Sequence, residues 1–406
     1  MKSIVSICMV LFFSIMHACE RMGKDDLSEN VEYAAAQYDL LIEKLEKNDK
    51  LWAPRTVDSK GNIVYARYAW DWTLGFFPGS LWYLYNLTGD KKWKLLAKKY
   101  TEVLKKQQYI TSHHDIGFII GCSYLNGIRM GQEAYDSIVV QAARSLSTRF
   151  RSGAGVIQSW NTSTGWQSQR GWECPVIIDN MMNLEILFEA TSLSGDSTFY
   201  NMAVSHADVT LKNHFRMDGS SYHVVDYDMR TGKVRSRCTA QGYSDESAWA
   251  RGQAWAIYGY TMCYRYTRRL KYLEQAETVY EFICTHPNFP EDLVPYWDFD
   301  SVNIPHELRD ASSAAIMAAA LYELSMYSNK AEYKKTADRI MHSLSSSDYR
   351  GKIGENHNFL LMHSVGSYPH GNEIDVPLNY ADYYFLEALK RKRDCDIKVK
   401  GKSAYK

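Results

Sequence analysis

The chain has 406 residues, enough for two average domains, and its 46% hydrophobic and 23% charged residues are ordinary for a globular protein. Lys plus Arg equals Asp plus Glu at 47 each, so nothing favours a polyanion and no nucleic-acid partner is expected. Thirty Tyr and eleven Trp are the anomaly, because each joins a flat apolar face to a hydrogen-bonding tip and so suits stacking on sugar rings. Helix packing is expected to use more than half of them.

Met1-Lys2-Ser3 followed by the apolar run Ile4 to Met16 reads as a secretory leader, since the run is too short to span a bilayer comfortably. It ends at Ala18-Cys19, a pattern that resembles a lipoprotein cleavage site. Residues 1–18 are therefore expected to be a signal peptide and Cys19 a lipid-anchored first residue at the membrane of the periplasm, with plain secretion as the alternative. Residues 19–30 read as a tether, 31–392 as one catalytic domain and 393–406 as a C-terminal tail. Cys122, Cys174, Cys238, Cys263, Cys284 and Cys395 form no Cys-x-x-Cys pair, which argues against zinc, and buried free thiols are the expectation.

Apolar residues recur at helical spacing almost throughout. Helices are predicted near 29–47, 75–88, 91–108, 115–130, 133–150, 179–194, 197–214, 246–267, 270–285, 309–327, 330–347 and 378–391. Similar junctions recur: Leu87-Thr88-Gly89-Asp90, Leu193-Ser194-Gly195-Asp196 and Tyr327-Ser328-Asn329-Lys330 each end one helix at Gly or Asn and open another on an aromatic residue. Twelve helices in six hairpins predict an all-α closed ring, with an open solenoid as the rival. The stretch 220–237 reads as a β-hairpin inserted in a long loop.

Every second helix begins with unusual polar residues. These are Trp70-Asp71-Trp72, His113-His114-Asp115, Asp179-Asn180, Asp245 through Gln253, Arg309-Asp310-Ala311-Ser312-Ser313 and Tyr380-Ala381-Asp382. N-capping explains any one of them, but six on one rim enclose one pocket. Asp179 lies between Val176-Ile177-Ile178 and Met181-Met182, so burial should raise its pKa and make it a proton donor near neutral pH. Metal binding at His113, His114 and Asp115 is the weaker reading, no Gly-x-Ser-x-Gly elbow is present, and no cofactor is expected.

Five segments carry a resemblance: Asp71-Trp72-Thr73 with Gly75 to Trp82, His114 to Phe118, Ile178 to Leu184, Ser247 to Trp255, and Asp382 to Leu389. Together, in that order from about 70 to 390, they resemble the unsaturated glucuronyl hydrolases, glycoside hydrolase family 88. The resemblance implies an (α/α)6 barrel. It also implies an enzyme that removes the terminal 4,5-unsaturated uronic acid from lyase-generated oligosaccharides (chondroitin, hyaluronan or heparin fragments) by hydrating the C4=C5 vinyl ether. By motif match, Asp179 is implied to protonate C4 and then activate water, and Asp115 to be the second essential carboxylate. His114, His223, Gln241 and Arg251 match binding positions, and Trp72, Phe118, Trp249 and Trp255 match stacking walls. Arg251 could equally serve a structural ion pair. One residue departs from the pattern: Ala240 stands where the family often has His.

The rivals are an unsaturated rhamnogalacturonyl hydrolase acting on pectin fragments and a non-catalytic carbohydrate-binding lipoprotein. The sequence leaves the oligomeric state open.

Overall fold

Two kinds of helix follow from two kinds of sequence. The segment Leu270–Thr285 buries only Tyr272, Ala276, Val279 and Ile283, a single stripe with helical spacing, and so lies on the outside of a layer. The segment Ala311–Leu324 is buried at every residue, and its alanines let neighbours approach on all sides. The structure, a computed structural model, describes residues 26–47, 51–67 and 70–403. The leader 1–18 and Cys19 lie outside the described residues.

Among the described residues, twelve helical segments are arranged in alternation. The outer ones are α1 (Asp26–Leu45), α3 (Lys91–Glu102), α5 (Asp136–Ser147), α7 (Ser197–Asn213), α9 (Leu270–Thr285) and α11 (Glu332–Leu344). The inner ones are α2 (Phe76–Thr88), α4, α6, α8 (Ala250–Thr267), α10 (Ala311–Leu324) and α12 (Asn379–Ser403). Helix α4 runs through Ile116–Ile120, a wide turn at Gly121–Leu125 and Asn126–Arg129, while α6 joins Asn180–Asn183 to Glu185–Ser194. Each inner helix packs on the next, and α12 returns to pack on α2, so the ring closes as an (α/α)6 barrel.

Two of the three repeated junctions work as read, while at the third the helix ends at Leu324, ahead of Asn329. Gly89 and Gly195 adopt φ of 73° and 74°, a left-handed conformation that ends α2 and α6 at low cost. The following Asp90 and Asp196 each accept a backbone N–H two residues on, capping α3 and α7.

Below the rim, an alternating chain of charge links five inner helices. Arg129 of α4 meets Glu185 of α6 at 2.6 Å, and Arg265 of α8 meets Glu185 at 2.6 Å and Glu323 of α10 at 2.7 Å. Arg391 of α12 then joins Glu323 and Glu387, both at 2.9 Å, and the Tyr83 hydroxyl of α2 donates to Glu387. All six inner helices are thereby tied.

The short strands were less legible. The 220–237 hairpin is present as Val224–Tyr227 (β6) and Val234–Cys238 (β7), but a third strand, Cys174–Ile177 (β5), pairs antiparallel with β6. Two further small hairpins, Ala53–Val57 with Ile63–Ala66 (β1, β2) and Phe150–Arg151 with Val156–Ile157 (β3, β4), have two to five residues per strand. That is too short for an alternating pattern to register. Two boundaries also move. Helix α1 takes in residues 26–30, assigned to the tether, and α12 continues to Ser403 through most of the expected tail, with Cys395 buried. Of the six cysteines, Cys122, Cys174, Cys263 and Cys395 are buried free thiols, Cys238 is half-buried and Cys284 is exposed.

Replacing Arg265 with Leu leaves Glu185 and Glu323 without their shared partner inside the barrel. The expected cost is about 3–5 kcal/mol of stability, read by urea denaturation, with the rate per folded molecule unchanged.

Candidate active site

Aspartate recurs at the inner helix starts, and hydrogen bonding sorts those positions into two kinds. Asp71 accepts from the Thr73 N–H at 3.0 Å and Asp310 from the Ser312 N–H at 3.1 Å, so both are caps. Asp115 and Asp179 stand at the same place on α4 and α6 and make no side-chain cap bond. For these two the capping explanation fails, and both face a cavity of about 400 Å³ at the rim.

Strand β5 ends at Ile177, and its pairing with β6 brings Ile177 opposite Val224. Asp179 therefore enters α6 beside His223. Its Oδ2 is buried with no protein hydrogen bond and lies 3.8 Å from His223 Nε2, which is equally unpartnered. Buried polar groups are nearly always paired, so this juxtaposition marks a place where a ligand acts. Burial pushes the Asp179 carboxyl up to about 7; the Arg251 charge works against this, Asp115 adds to it, and the Trp255 indole favours the charged form.

His223 is uncharged for two reasons. Burial, reinforced by the Arg251 charge, pushes it down to about 3. In addition, Nδ1 accepts backbone N–H bonds from Ala240 at 3.0 Å and Gln241 at 3.2 Å. The ring proton must then sit on Nε2, the atom facing Asp179. Ala240, the departure from the family pattern, contributes through its backbone.

Asp115 lies 3.2 Å from His113 Nδ1 and 3.3 Å from His114 Nε2. Burial raises its pKa, but these two histidines and Arg149 outweigh it and hold the carboxyl below its usual value.

Arg251, at the first turn of α8, is nearly all buried. Nη1 reaches Asp310 at 3.2 Å and the Val365 carbonyl at 2.5 Å, and Nη2 reaches the Gly366 carbonyl at 2.5 Å. The even choice left by the sequence is thus settled in part: Arg251 is engaged in an ion pair and clamps a loop, yet its Nε has no protein partner and the residue lines the cavity.

Five predicted residues line the cavity together: Trp72, Asp115, Asp179, Gln241 and Arg251. His114 and His223 stand behind them. Phe118, Trp249 and Trp255 do not form walls. They are buried under the floor, where Phe118 packs between Trp72 and Trp255, and Trp249 packs on His223. Phe118 and Trp255 lie a turn or more into inward-pointing helices, and Trp249, just before α8, is turned onto His223, so the walls come from loops and from Tyr380 at the start of α12. Trp70, Trp160, Trp166 and Tyr380 supply aromatic surface, and Ser367, His370 and Asn372 supply polar surface. The tenth-segment set Arg309 to Ser313 reaches the site only through the Asp310–Arg251 pair.

Arg55 and Glu373 also line the cavity and were missed. Arg55 Nε and Nη2 grip Glu373 at 2.6 and 3.0 Å, and Nη1 holds Asp71 at 3.1 Å. Nothing local in either sequence signals a pairing across 318 residues.

A closed helical barrel with two non-capping carboxylates, one of them poised to titrate near neutrality, in an aromatic-walled cavity defines a carbohydrate-cleaving hydrolase. The family profile described as Glycosyl Hydrolase Family 88 matches residues 45–394. The chain is 42% identical to an unsaturated glucuronyl hydrolase of Formosa agariphila, over 98% of this chain and all of that protein. It is 30% identical to an unsaturated chondroitin disaccharide hydrolase of Streptococcus pyogenes, over 91% of this chain and 92% of the relative. The crystal structure of an unsaturated glucuronyl hydrolase specific for heparin superposes with a TM-score of 0.87 at 45% identity, covering 92% of this chain and 98% of that one. The chain belongs to glycoside hydrolase family 88.

Replacing Arg55 with Met frees Glu373 and the loop 366–373 at the cavity mouth. The expected result is a loss of about tenfold or more in kcat/KM, carried mainly by KM because this loop holds no proton donor, and steady-state kinetics would measure it.

Proposed function

We propose that the protein removes a terminal 4,5-unsaturated uronic acid from oligosaccharides by hydrating its C4=C5 bond. The observation that carries this reading is Asp179: buried, without a capping role, poised near neutrality and lined up with an uncharged His223 at a cavity. In its acid form Asp179 gives a proton to C4, and positive charge develops at C5, stabilised by the ring oxygen. The resulting carboxylate then takes a proton from water as the water oxygen bonds to C5. The hemiketal so formed opens and releases the neighbouring sugar. Ordinary glycosidases need two carboxylates flanking the glycosidic bond; here one residue both gives and recovers the proton, and Asp115 is assigned to the sugar hydroxyls. Gln241 and Arg251 are assigned to the uronate end, and Trp72 to a ring face.

The relatives' names support glycosaminoglycan-derived substrates over pectin fragments, and the 45% identity to the heparin-specific enzyme favours a heparin-type unsaturated disaccharide. Assaying heparin-, chondroitin- and pectin-derived unsaturated disaccharides side by side tests this. Fastest turnover of the pectin fragment would replace it with the rhamnogalacturonyl reading.

Asp179→Asn should lower kcat at least about 100-fold, followed as loss of ultraviolet absorbance of the conjugated bond. Binding with normal turnover in this variant would overturn the assignment. Because the protonated acid is the active form, kcat/KM should be level below pH about 7 and fall above it.

Export and lipidation at Cys19 complete the proposal, supported by the basic start, the apolar run and Ala18-Cys19. Labelled fatty acid should enter the wild type and not Cys19→Ser, and the variant should leave the membrane fraction for the soluble periplasm. Equal labelling of both would exclude Cys19 as the anchor.

A further inference from the structure

Asn183 lies one turn after Asp179 on α6, is fully buried, and touches no part of the cavity. A buried amide is costly unless both of its ends are used, and here they are. Its Oδ1 accepts the Phe118 N–H at 2.9 Å, which fixes which end of the amide points where. Its Nδ2 is left facing His114 Nδ1 at 3.2 Å. The neighbouring Asn180 amide is also fixed in orientation, since its Nδ2 donates to the Ile157 carbonyl at 2.6 Å.

His114 therefore meets a donor at Nδ1, while its Nε2 lies 3.3 Å from Asp115 Oδ1. The neutral tautomer with its proton on Nε2 suits both neighbours. Gly117 makes the approach possible, because a Cβ there would meet Asn183 Oδ1 at 2.4 Å and Asn183 Cα at 2.6 Å.

We propose that Asn183 is a positioning residue of this site: by donating to Nδ1 it locks His114 as the Nε2–H tautomer, which in turn orients the Asp115 carboxylate beside Asp179. The proposal rests on the role given above to the two aspartates. It adds a mechanical link, since one short helix carries the proton donor and also sets the second carboxylate on α4. The titratable groups that face His114 are Asp115, His113 and Arg149, with His206 and His223 close enough to feel its charge. Burial leads the causes that keep His114 below its usual pKa, so the wild-type ring stays neutral at working pH.

The test uses the full chain with ¹⁵N-labelled histidine. In the wild type, the ring of His114 (assigned by its loss in His114→Gln) should show a bare Nδ1 and a protonated Nε2. A proton on Nδ1 would overturn the proposal, and this readout needs no turnover, so it stands or falls separately from the role of Asp179.

Asn183→Asp keeps the size and the Phe118 bond but turns an acceptor toward Nδ1. His114 should then titrate. At low pH the imidazolium still presents Nε2–H to Asp115; once it deprotonates, the remaining proton goes to Nδ1 and Asp115 loses its donor. The variant's kcat/KM should therefore approach wild type on the acid side and fall about 10- to 100-fold below it on the alkaline side. Asn183→Leu, which removes both bonds, should lower the rate at every pH. An Asn183→Asp profile parallel to the wild type, merely scaled down, would mean that Asn183 only packs. Should that variant fail to fold, the wild-type tautomer decides the matter.

Discussion

Everything at the site depends on the ring closing. Six inner helices can place their starts on one rim only if the last returns to the first, and the α12–α2 contact does this. Burying six apolar helices around one axis supplies the free energy but little direction, because apolar contact is nearly isotropic. Direction comes from the charge chain Arg129–Glu185–Arg265–Glu323–Arg391–Glu387, whose alternating signs accept one order of helices. A chain of this kind is a weak source of stability against an apolar alternative but a strong penalty on misregistry, since any slip buries an unpaired charge. With that level of the barrel tied, the rim is where polar groups can be left without partners.

Within the rim, one residue type at equivalent positions acquires three characters. Asp71 and Asp310 cap their helices and pair with Arg55 and Arg251, so their oxygens are satisfied. Asp382 is pushed up to about 7 like Asp179, yet both its oxygens accept the Leu360 N–H, and the Leu361 N–H and the Tyr38 hydroxyl are also directed at it. A raised pKa alone therefore does not mark a reactive carboxyl. Asp179 differs because its Oδ2 has no protein partner and it faces a cavity.

The same distinction explains what the sequence made legible. Helix number, order and most boundaries followed from apolar spacing, because each hairpin is a local unit with its own junction. Asp179 was legible because its apolar neighbours adjoin it in the chain. Arg55 was not, because its partner Glu373 meets it only after the ring closes, and β1 is too short to announce itself. The floor residues Phe118, Trp249 and Trp255 were misplaced as walls because motif proximity gives no depth along a helix. The actual walls, Trp160 and Trp166, sit in a loop whose path depends on the β5–β6–β7 sheet.

Depth also decides the charge state of His223 and His114, whose Nε2 atoms face the two carboxylates. An imidazolium within a few ångströms of Asp179 would favour its ionised form and draw its pKa back toward the ordinary range, just as the Arg251 charge partly does. Burial discourages that charge at His223 and His114, and in each case a donor faces Nδ1: the Ala240 and Gln241 backbone in one, the Asn183 amide in the other. A donor there opposes protonation at Nδ1 and still leaves Nε2–H free to point at a carboxylate. The arrangement thus leaves an uncharged ring N–H facing each aspartate while withholding the positive charge that would strip Asp179 of its proton. A lysine or a charged histidine in place of His223 would orient Asp179 as well, and would lose the acid.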